Sequence, residues 1–239
     1  MRKIFIADAH LKDPDDENYR TLLRFLSTLP DDTDILFILG DLFEFWIGYP
    51  PPIFPHYAPI VEQLRLLKAK GIRIVYLEGN HDFNLGPLLT EGLQVEVYHG
   101  PTVMTIDGRR VYLCHGDQVN RTDYGYRLLR ATLRSSLVKL VLPRLPVRLV
   151  ARIATIMSGN SRRKHGERQL KWDSATLLRE FAAARFREGC EVVIAGHFHL
   201  PFSDRSEHDG KELVSLGDWI TQFSYGEWLD GKIALKTFR

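Results

Sequence analysis

Short apolar runs alternate with stretches of helical spacing through the first third of the chain. Apolar runs that predict buried strands lie at residues 3–7, 34–39 and 72–77. Between them, apolar side chains at helical spacing predict helices from Tyr19 to Leu29 and from Tyr57 to Lys70, the second stopped by Gly71. This alternation predicts βαβ units, a parallel sheet and an α/β fold.

After Gly92 the apolar segments become shorter. Strands are predicted at residues 94–98, 102–106, 110–114, 191–195, 202–206, 212–215 and 232–238. A turn is predicted at Asp107-Gly108, and a long helical stretch from about Asp123 to Phe186. Because no internal repeat or low-complexity linker divides the chain, we predict one domain over residues 1–239, with residues 121–186 as a helical insertion that we call the cap segment.

Composition limits the class of protein. A chain of 239 residues with 44% hydrophobic content can bury the core of one large α/β domain. The net charge of +2 gives no overall argument for nucleic acid or membrane. Cys114 and Cys190 predict neither a disulfide framework nor a thiolate metal site, which fits a reducing cytoplasm. The apolar run before Asp8 is too short for a signal peptide, so no export is predicted.

Metal-type side chains follow five of the predicted strands. These residues are Asp8, His10, Asp41, Asn80, His81, Asp82, His115, Asp117, His197 and His199. The carboxyl ends of the strands in a doubly wound sheet meet at one edge, so we expect these side chains to lie close together.

The donor chemistry of this set favours divalent ions such as Mn²⁺, Fe²⁺ or Zn²⁺, because it mixes imidazole, carboxylate and amide oxygen without thiolate. Two ions about 3.5 to 4 Å apart would use all the ligands if one carboxylate bridged them. Asp41 is the predicted bridge, since an acid directly after a core strand needs a partner charge. Each motif alone is typical of a turn or a cap. Five motifs, each directly after an apolar run, favour the metal centre.

This ordered set resembles the calcineurin-like metallophosphoesterase superfamily. The resemblance implies a β-sandwich flanked by helices, with the cap segment as a helical insertion. It also implies the ligands of two metal ions. The first ion would be held by Asp8, His10, Asp41 and His199, and the second by Asp41, Asn80, His115 and His197. His81 would face the substrate and stabilise or protonate the leaving oxygen.

Further segments resemble one branch of the superfamily, the UDP-2,3-diacylglucosamine pyrophosphatases of lipid A synthesis. They read "GDLFEFWIG", "GNHDF", "HGDQVNRTDYGYRLLR", "MSGNSRRK" and "LGDW". The resemblance implies that helices from about residue 124 to 166 hold the acyl chains. Residues implied to lie around the sugar and diphosphate are Asp123, Tyr126, Asn160 and Lys164.

Two positions depart from the pattern of this branch. Its members commonly have Arg where this chain has His81, and "GHTHRP" where this chain has "GHFHLP" at residues 196–201. Arg grips phosphate with two parallel hydrogen bonds and His cannot, so we expect different contacts to the diphosphate.

The cap segment is basic and lacks acids between Tyr124 and Gly166. Its basic residues there are Arg127, Arg130, Arg134, Lys139, Arg144, Arg148, Arg152, Arg162, Arg163 and Lys164. Their interleaving with aliphatic residues is typical of a helix on a membrane surface, and a solvated basic face is the alternative. Binders of single-stranded nucleic acid use stacking aromatics where this segment has aliphatics, so no nucleic-acid partner is predicted. We predict that the protein is cytoplasmic and binds peripherally to the anionic cytoplasmic face of the inner membrane.

Aromatic residues surround Asp41 in the sequence. They are Phe43, Phe45, Trp46 and Phe54. Core packing and the wall of an acyl or uridine pocket are both open interpretations for them.

The sequence thus favours a hydrolase with two divalent ions, Mn²⁺ first among them. The predicted reaction is water attack on the α-phosphorus of UDP-2,3-diacylglucosamine, giving UMP and 2,3-diacylglucosamine 1-phosphate. Two alternatives remain: another metallophosphoesterase, acting on nucleotides or other phosphodiesters, and a non-catalytic scaffold of the same fold.

Overall fold

The computed structural model describes residues 1–46, 48, 55–120, 122, 124–133, 135, 138, 141 and 173–239. Strands in these ranges form two sheets. The first sheet contains, in spatial order, β11 (Lys232–Thr237), β10 (Ser224–Leu229), β1 (Arg2–Ile6), β2 (Thr33–Ile38), β3 (Arg73–Leu77) and β4 (Glu96–Tyr98). The second contains β5 (Thr102–Ile106), β6 (Arg109–Cys114), β7 (Val192–Ala195), β9 (Glu212–Ser215) and β8 (Phe202–Arg205).

The two sheets face each other across a common apolar core. Phe5 of β1 stacks on Phe37 of β2 with ring centroids 4.5 Å apart. These rings belong to a buried cluster that also includes Val111 of β6, Ile194 of β7 and Val214 of β9. One face of β1 and β2 is buried between the sheets and the other beneath helices, which explains why these two strands are apolar on nearly every position. The predicted β-sandwich is confirmed.

Helices cover the outer faces of the sandwich. Helices α1 (Glu17–Ser27) and α2 (Ala58–Ala69) pack on the first sheet. Helix α4 (Ser174–Arg187) packs on the second sheet. Its N-cap residue, Asp173, accepts hydrogen bonds from two backbone amides. A further helix, α3 (Tyr124–Leu133), follows β6. No helix within the described ranges is long and apolar enough to cross a bilayer.

Most predicted elements lie within two residues of the observed ones. Strands β1, β2 and β3 are parallel neighbours, as the βαβ pattern predicts. The long predicted helical stretch contains α3 and α4 at its two ends, and Asp173 is extended before α4 begins. Most of the residues between these helices lie outside the described ranges, and the extent of the cap segment stays a prediction.

Strand β10 was not among the predicted strands, which is an error of the sequence analysis. Its sequence, SYGEWL, contains a glycine and an acid, both poor strand residues. The acid, Glu227, is buried and accepts hydrogen bonds from Arg2 and Lys236, which come from the neighbouring strands β1 and β11. Arg2 is distant in sequence, but Lys236 is only nine residues from Glu227, across the turn Asp230-Gly231 that joins β10 to β11. An Asp-Gly pair is a hairpin signal, and the sequence analysis overlooked it.

Candidate metal centre

The loops after β1, β2, β3, β6 and β7 meet at the carboxyl ends of their strands. The expectation of one sheet edge is wrong in this respect, because β6 and β7 belong to the second sheet. Backbone hydrogen bonds join the loops within each sheet: Asp8 N donates to Gly40 O at 3.1 Å, and Gly196 N donates to His115 O at 2.8 Å. Between the sheets, His197 N donates to Asp8 Oδ2 at 2.6 Å. Side chains from both sheets therefore converge on one site.

The backbone at this site is strained. Five of the seven predicted ligands have positive φ angles, an unusual conformation for residues other than glycine. They are Asp8 at 56°, His10 at 46°, Asp41 at 54°, His197 at 73° and His199 at 50°. Such conformations cost about 1–3 kcal/mol each and persist where the surroundings enforce them, most often at functional sites.

Asp8, His10 and His199 form the first group of ligand atoms, with all three within 4.8 Å of one another. The Nε2 atoms of His10 and His199 lie 3.9 and 3.5 Å from Asp8 Oδ1. Among the described residues, neither Asp8 Oδ1 nor His10 Nε2 has a hydrogen-bond partner, although both atoms are buried. Buried polar atoms that converge without partners fit a bound cation.

Asp41, His115 and His197 form the second group. His115 Nε2 lies 3.0 Å from Asn80 Oδ1, 3.2 Å from His197 Nδ1 and 3.3 Å from Asp41 Oδ2. His115 Nδ1 lies 2.8 Å from Leu39 O, and we assign its proton to that contact. The lone pair of Nε2 then points at the group, as metal coordination requires.

Asp41 connects the two groups. Its Oδ2 lies 3.7 Å from His10 Nε2 and 3.3 Å from His115 Nε2. Its Oδ1 accepts hydrogen bonds from the backbone amides of Asn80 and His81, each at 2.8 Å. Burial alone would raise the pKa of Asp41, but in the metal-free site the protonated imidazoles of His115, His81 and His10 hold it well below its usual value. The position and the charge fit a bridging ligand.

Asp82 supports Asp41, a role that the sequence analysis missed. Its Oδ1 accepts from Asp41 N and Gly79 N at 2.9 and 3.0 Å, and its Oδ2 accepts from Leu42 N and Tyr76 Oη. Burial raises the pKa of Asp82 to about 7, and the negative charge of Asp41 adds to this effect. The only sequence signal was its place directly after Asn80-His81. Asp82 thus holds the loops after β2 and β3 together.

Close approach of these loops explains the glycine of the "GNHD" motif. A Cβ atom at Gly79 would lie 2.1 Å from Asp41 Oδ1, which is far inside contact distance. Only glycine lets the loop after β3 reach the Asp41 carboxylate.

The structure places His81 beside the first group. Its Nδ1 lies 2.8 Å from Glu44 O, and its ring centroid lies 4.7 Å from that of His10. Ligand atoms of His10, Glu44 and His81 also lie within 4.8 Å of one another, which is a third possible grouping. His81 therefore lies at the edge of the first group.

The predicted substrate contacts are not among the described side chains. Asp123, Asn160 and Lys164 lie outside the described residues, as does Phe54. Tyr126 belongs to α3, but its side chain lies outside the described part. Asp117, at the end of its "HGD" motif, contacts Arg130 of α3 at 2.8 Å, which ties the start of the cap segment to the site.

The aromatic residues after Asp41 pack into the core. Phe43 lies 4.4 Å from Trp46 and 4.8 Å from Tyr57, measured between ring centroids. Phe43, Phe45 and Trp46 are all buried. Core packing is therefore the structural role of Phe43 and Trp46.

Comparison with known proteins gives matches over most of the chain. Residues 1–201 match the family described as calcineurin-like phosphoesterase. A protein of Aeromonas salmonicida named UDP-2,3-diacylglucosamine hydrolase is 33% identical, over 94% of this chain and 88% of its own. A protein of Stutzerimonas stutzeri with the same name is 32% identical, over 92% and 91%. A solved structure of a novel archaeal phosphodiesterase covers 100% of both chains at 11% identity and a TM-score of 0.50, a likeness of fold alone.

Proposed function

The chain belongs to the calcineurin-like phosphoesterase family, and we propose that it hydrolyses UDP-2,3-diacylglucosamine to UMP and 2,3-diacylglucosamine 1-phosphate. It is a hydrolase of the metallophosphoesterase type. The observation that carries the substrate assignment is the likeness, at about one third identity over nearly the whole chain, to proteins named for that substrate.

The two groups of ligand atoms suit two divalent ions. Asp8, His10 and His199 would hold one ion, His115, His197 and Asn80 the other, and Asp41 would touch both. We propose Mn²⁺, because imidazole, carboxylate and amide oxygen together suit a borderline-hard ion. Such ions polarise phosphoryl oxygens and make water nucleophilic near neutral pH.

His81 is the proposed acid for the leaving oxygen. Its Nδ1 is held by the carbonyl oxygen of Glu44, which fixes the ring and assigns the proton transfer to Nε2. The backbone amide of His81 donates to Asp41 Oδ1, so His81 is also tied to the bridging ligand. These two contacts orient His81 relative to both groups before any substrate binds.

The cap segment is proposed to hold the acyl chains and to contact the cytoplasmic face of the inner membrane. Tyr124 and Leu128 lie four residues apart on one face of α3, with 74% and 71% of their surface exposed. Val141 is exposed as well. These exposed apolar residues lie in the basic stretch 124–166, which contains no acids. The combination supports contact with an anionic lipid surface.

The position of bond cleavage tests the proposed function. If the cap segment holds the acylated sugar, the uridine-side phosphorus lies over the metal centre. Hydrolysis in ¹⁸O-water should then place one solvent oxygen in UMP and none in the sugar 1-phosphate, as weighed by mass spectrometry. Label in the sugar 1-phosphate would mean attack on the other phosphorus and would contradict the proposed placement of the cap segment.

Membrane binding gives a separate prediction. Changing Arg134, Lys139 and Arg148 to Glu should release the protein from anionic vesicles in a sedimentation assay. Each basic residue near such a surface contributes about 1 kcal/mol, so the loss should be roughly 100-fold or more.

The matched control changes three exposed basic residues outside the cap segment, Arg20, Lys70 and Arg239, to Glu. It carries the same change in net charge and should stay on the vesicles more strongly than the cap variant. Equal binding by the two variants would favour the solvated-helix alternative.

A further inference from the structure

Two carboxylates outside the predicted ligand set contact the histidines of the first group from behind. Glu44 Oε2 lies 3.6 Å from His10 Nδ1, and Asp218 Oδ2 lies 3.5 Å from His199 Nδ1. The opposite ring nitrogens, both Nε2, face Asp8 Oδ1. Each imidazole therefore lies between one carboxylate inside the group and another behind it.

The second group is supported differently. The rear nitrogen of His115, Nδ1, contacts the neutral carbonyl oxygen of Leu39 at 2.8 Å. His197 turns its Nδ1, rather than its Nε2, toward His115. A carboxylate beside the ring nitrogen that faces away from the ion makes the imidazole a stronger metal ligand than a neutral carbonyl in the same place does.

Asp218 is fixed in place for this contact. It is 3% exposed, and its Oδ1 accepts backbone hydrogen bonds from Ile220 and Thr221 at 2.8 Å and from Gln222 at 3.2 Å. The side chain of Gln222 in turn donates to His199 O at 2.9 Å. Since Oδ1 is occupied by the turn, Oδ2 is the oxygen directed at His199.

Glu44 is fixed by its own backbone. Its amide donates to Leu11 O at 3.0 Å, which ties the loop after β2 to the loop after β1. Its carbonyl oxygen contacts His81 Nδ1 at 2.8 Å. One residue thus supports His10 through its side chain and His81 through its backbone.

We propose that Glu44 and Asp218 are positioning residues that give the first metal position the higher affinity of the two. Each carboxylate lies 3.5 or 3.6 Å from the Nδ1 atom of its histidine, close enough to attract the Nδ1 proton and so keep the Nε2 lone pair directed at the ion. This inference rests on the proposed dinuclear centre. Loss of such an outer partner typically lowers metal affinity by about 10- to 100-fold.

Asp218→Asn changes the contact with His199 and leaves the turn at residues 218–222 hydrogen-bonded. Asn keeps an oxygen for the three backbone amides, but it places an NH₂ group where Oδ2 faces His199. That group donates to Nδ1, so the histidine proton moves to Nε2 and blocks the atom that would hold the ion. Glu44→Gln removes the charge behind His10 in the same way.

The test is a titration of the metal-free full-length protein with Mn²⁺, in which free Mn²⁺ is counted by its paramagnetic resonance signal. The unaltered protein should bind two ions in two distinguishable steps. In Asp218→Asn and Glu44→Gln the tighter step should weaken by about 10- to 100-fold while the other keeps its affinity. Matched controls are Asp204→Asn, whose side chain is 44% exposed, and the exposed Glu96→Gln.

Three other results would count against the proposal or its basis. Two unchanged steps in both variants would overturn the inference and leave the proposed function intact. Equal weakening of both steps, with a lower unfolding temperature of the metal-free protein, would make the residues structural and would also overturn it. An unaltered protein that binds no Mn²⁺ would overturn the proposed manganese centre itself.

Discussion

Replacement of Asp41 by Ala should abolish metal binding and hydrolysis together. The Oδ2 atom of Asp41 lies within 3.7 Å of ligand nitrogens in both groups, so its loss removes a ligand from each ion. Metal ions contribute several kcal/mol of transition-state stabilisation, and activity should therefore fall by roughly 10³-fold or more. Metal content by mass spectrometry and turnover under saturating Mn²⁺ are the two measurements.

Asp41→Asn is the matched variant for this prediction. It preserves the oxygen that accepts from the amides of Asn80 and His81, and it removes the negative charge. We expect it to unfold at nearly the normal temperature and still lose both ions. Normal turnover by Asp41→Ala would contradict the two-metal account.

His81→Ala should have the opposite signature, with both ions retained and the rate reduced. General acid assistance is typically worth about 10²- to 10⁴-fold, and kcat should fall within that range. The measurement pairs Mn²⁺ stoichiometry with single-turnover kinetics, which separate the chemical step from product release.

The exposed His208→Ala is the control, and it should change neither quantity. His81 shares a possible ligand grouping with His10 and Glu44. Loss of an ion from His81→Ala would therefore reassign His81 as a ligand, and an unchanged rate would remove its proposed role as the acid.

The convergence of the candidate ligands could be predicted from the sequence because their signal is local. Each one follows directly after an apolar strand, and parallel strands bring their carboxyl ends together. Asp8, Asp41 and His115 come from three different strands and meet in the structure. What the sequence could not provide was the division of those strands between two sheets.

The contacts that Asp82 and Asp218 make with the candidate site were beyond sequence analysis. Asp82 contacts backbone groups of the loop after β2, some forty residues earlier in the chain. Asp218 reaches His199 only because its turn folds against the end of β7. In both cases the tertiary fold chooses the partner of the carboxylate, so the segments "GNHDF" and "LGDW" mark these acids without revealing what they contact.

A competition assay decides the identity of the substrate. The protein would be offered UDP-2,3-diacylglucosamine together with unacylated UDP-sugars and other phosphodiesters, with and without Mn²⁺, and the products weighed by mass spectrometry. We predict Mn²⁺-dependent release of UMP and 2,3-diacylglucosamine 1-phosphate, with the unacylated compounds left largely intact. Preferred turnover of water-soluble diesters, or Mn²⁺ binding without any hydrolysis, would contradict the proposed function.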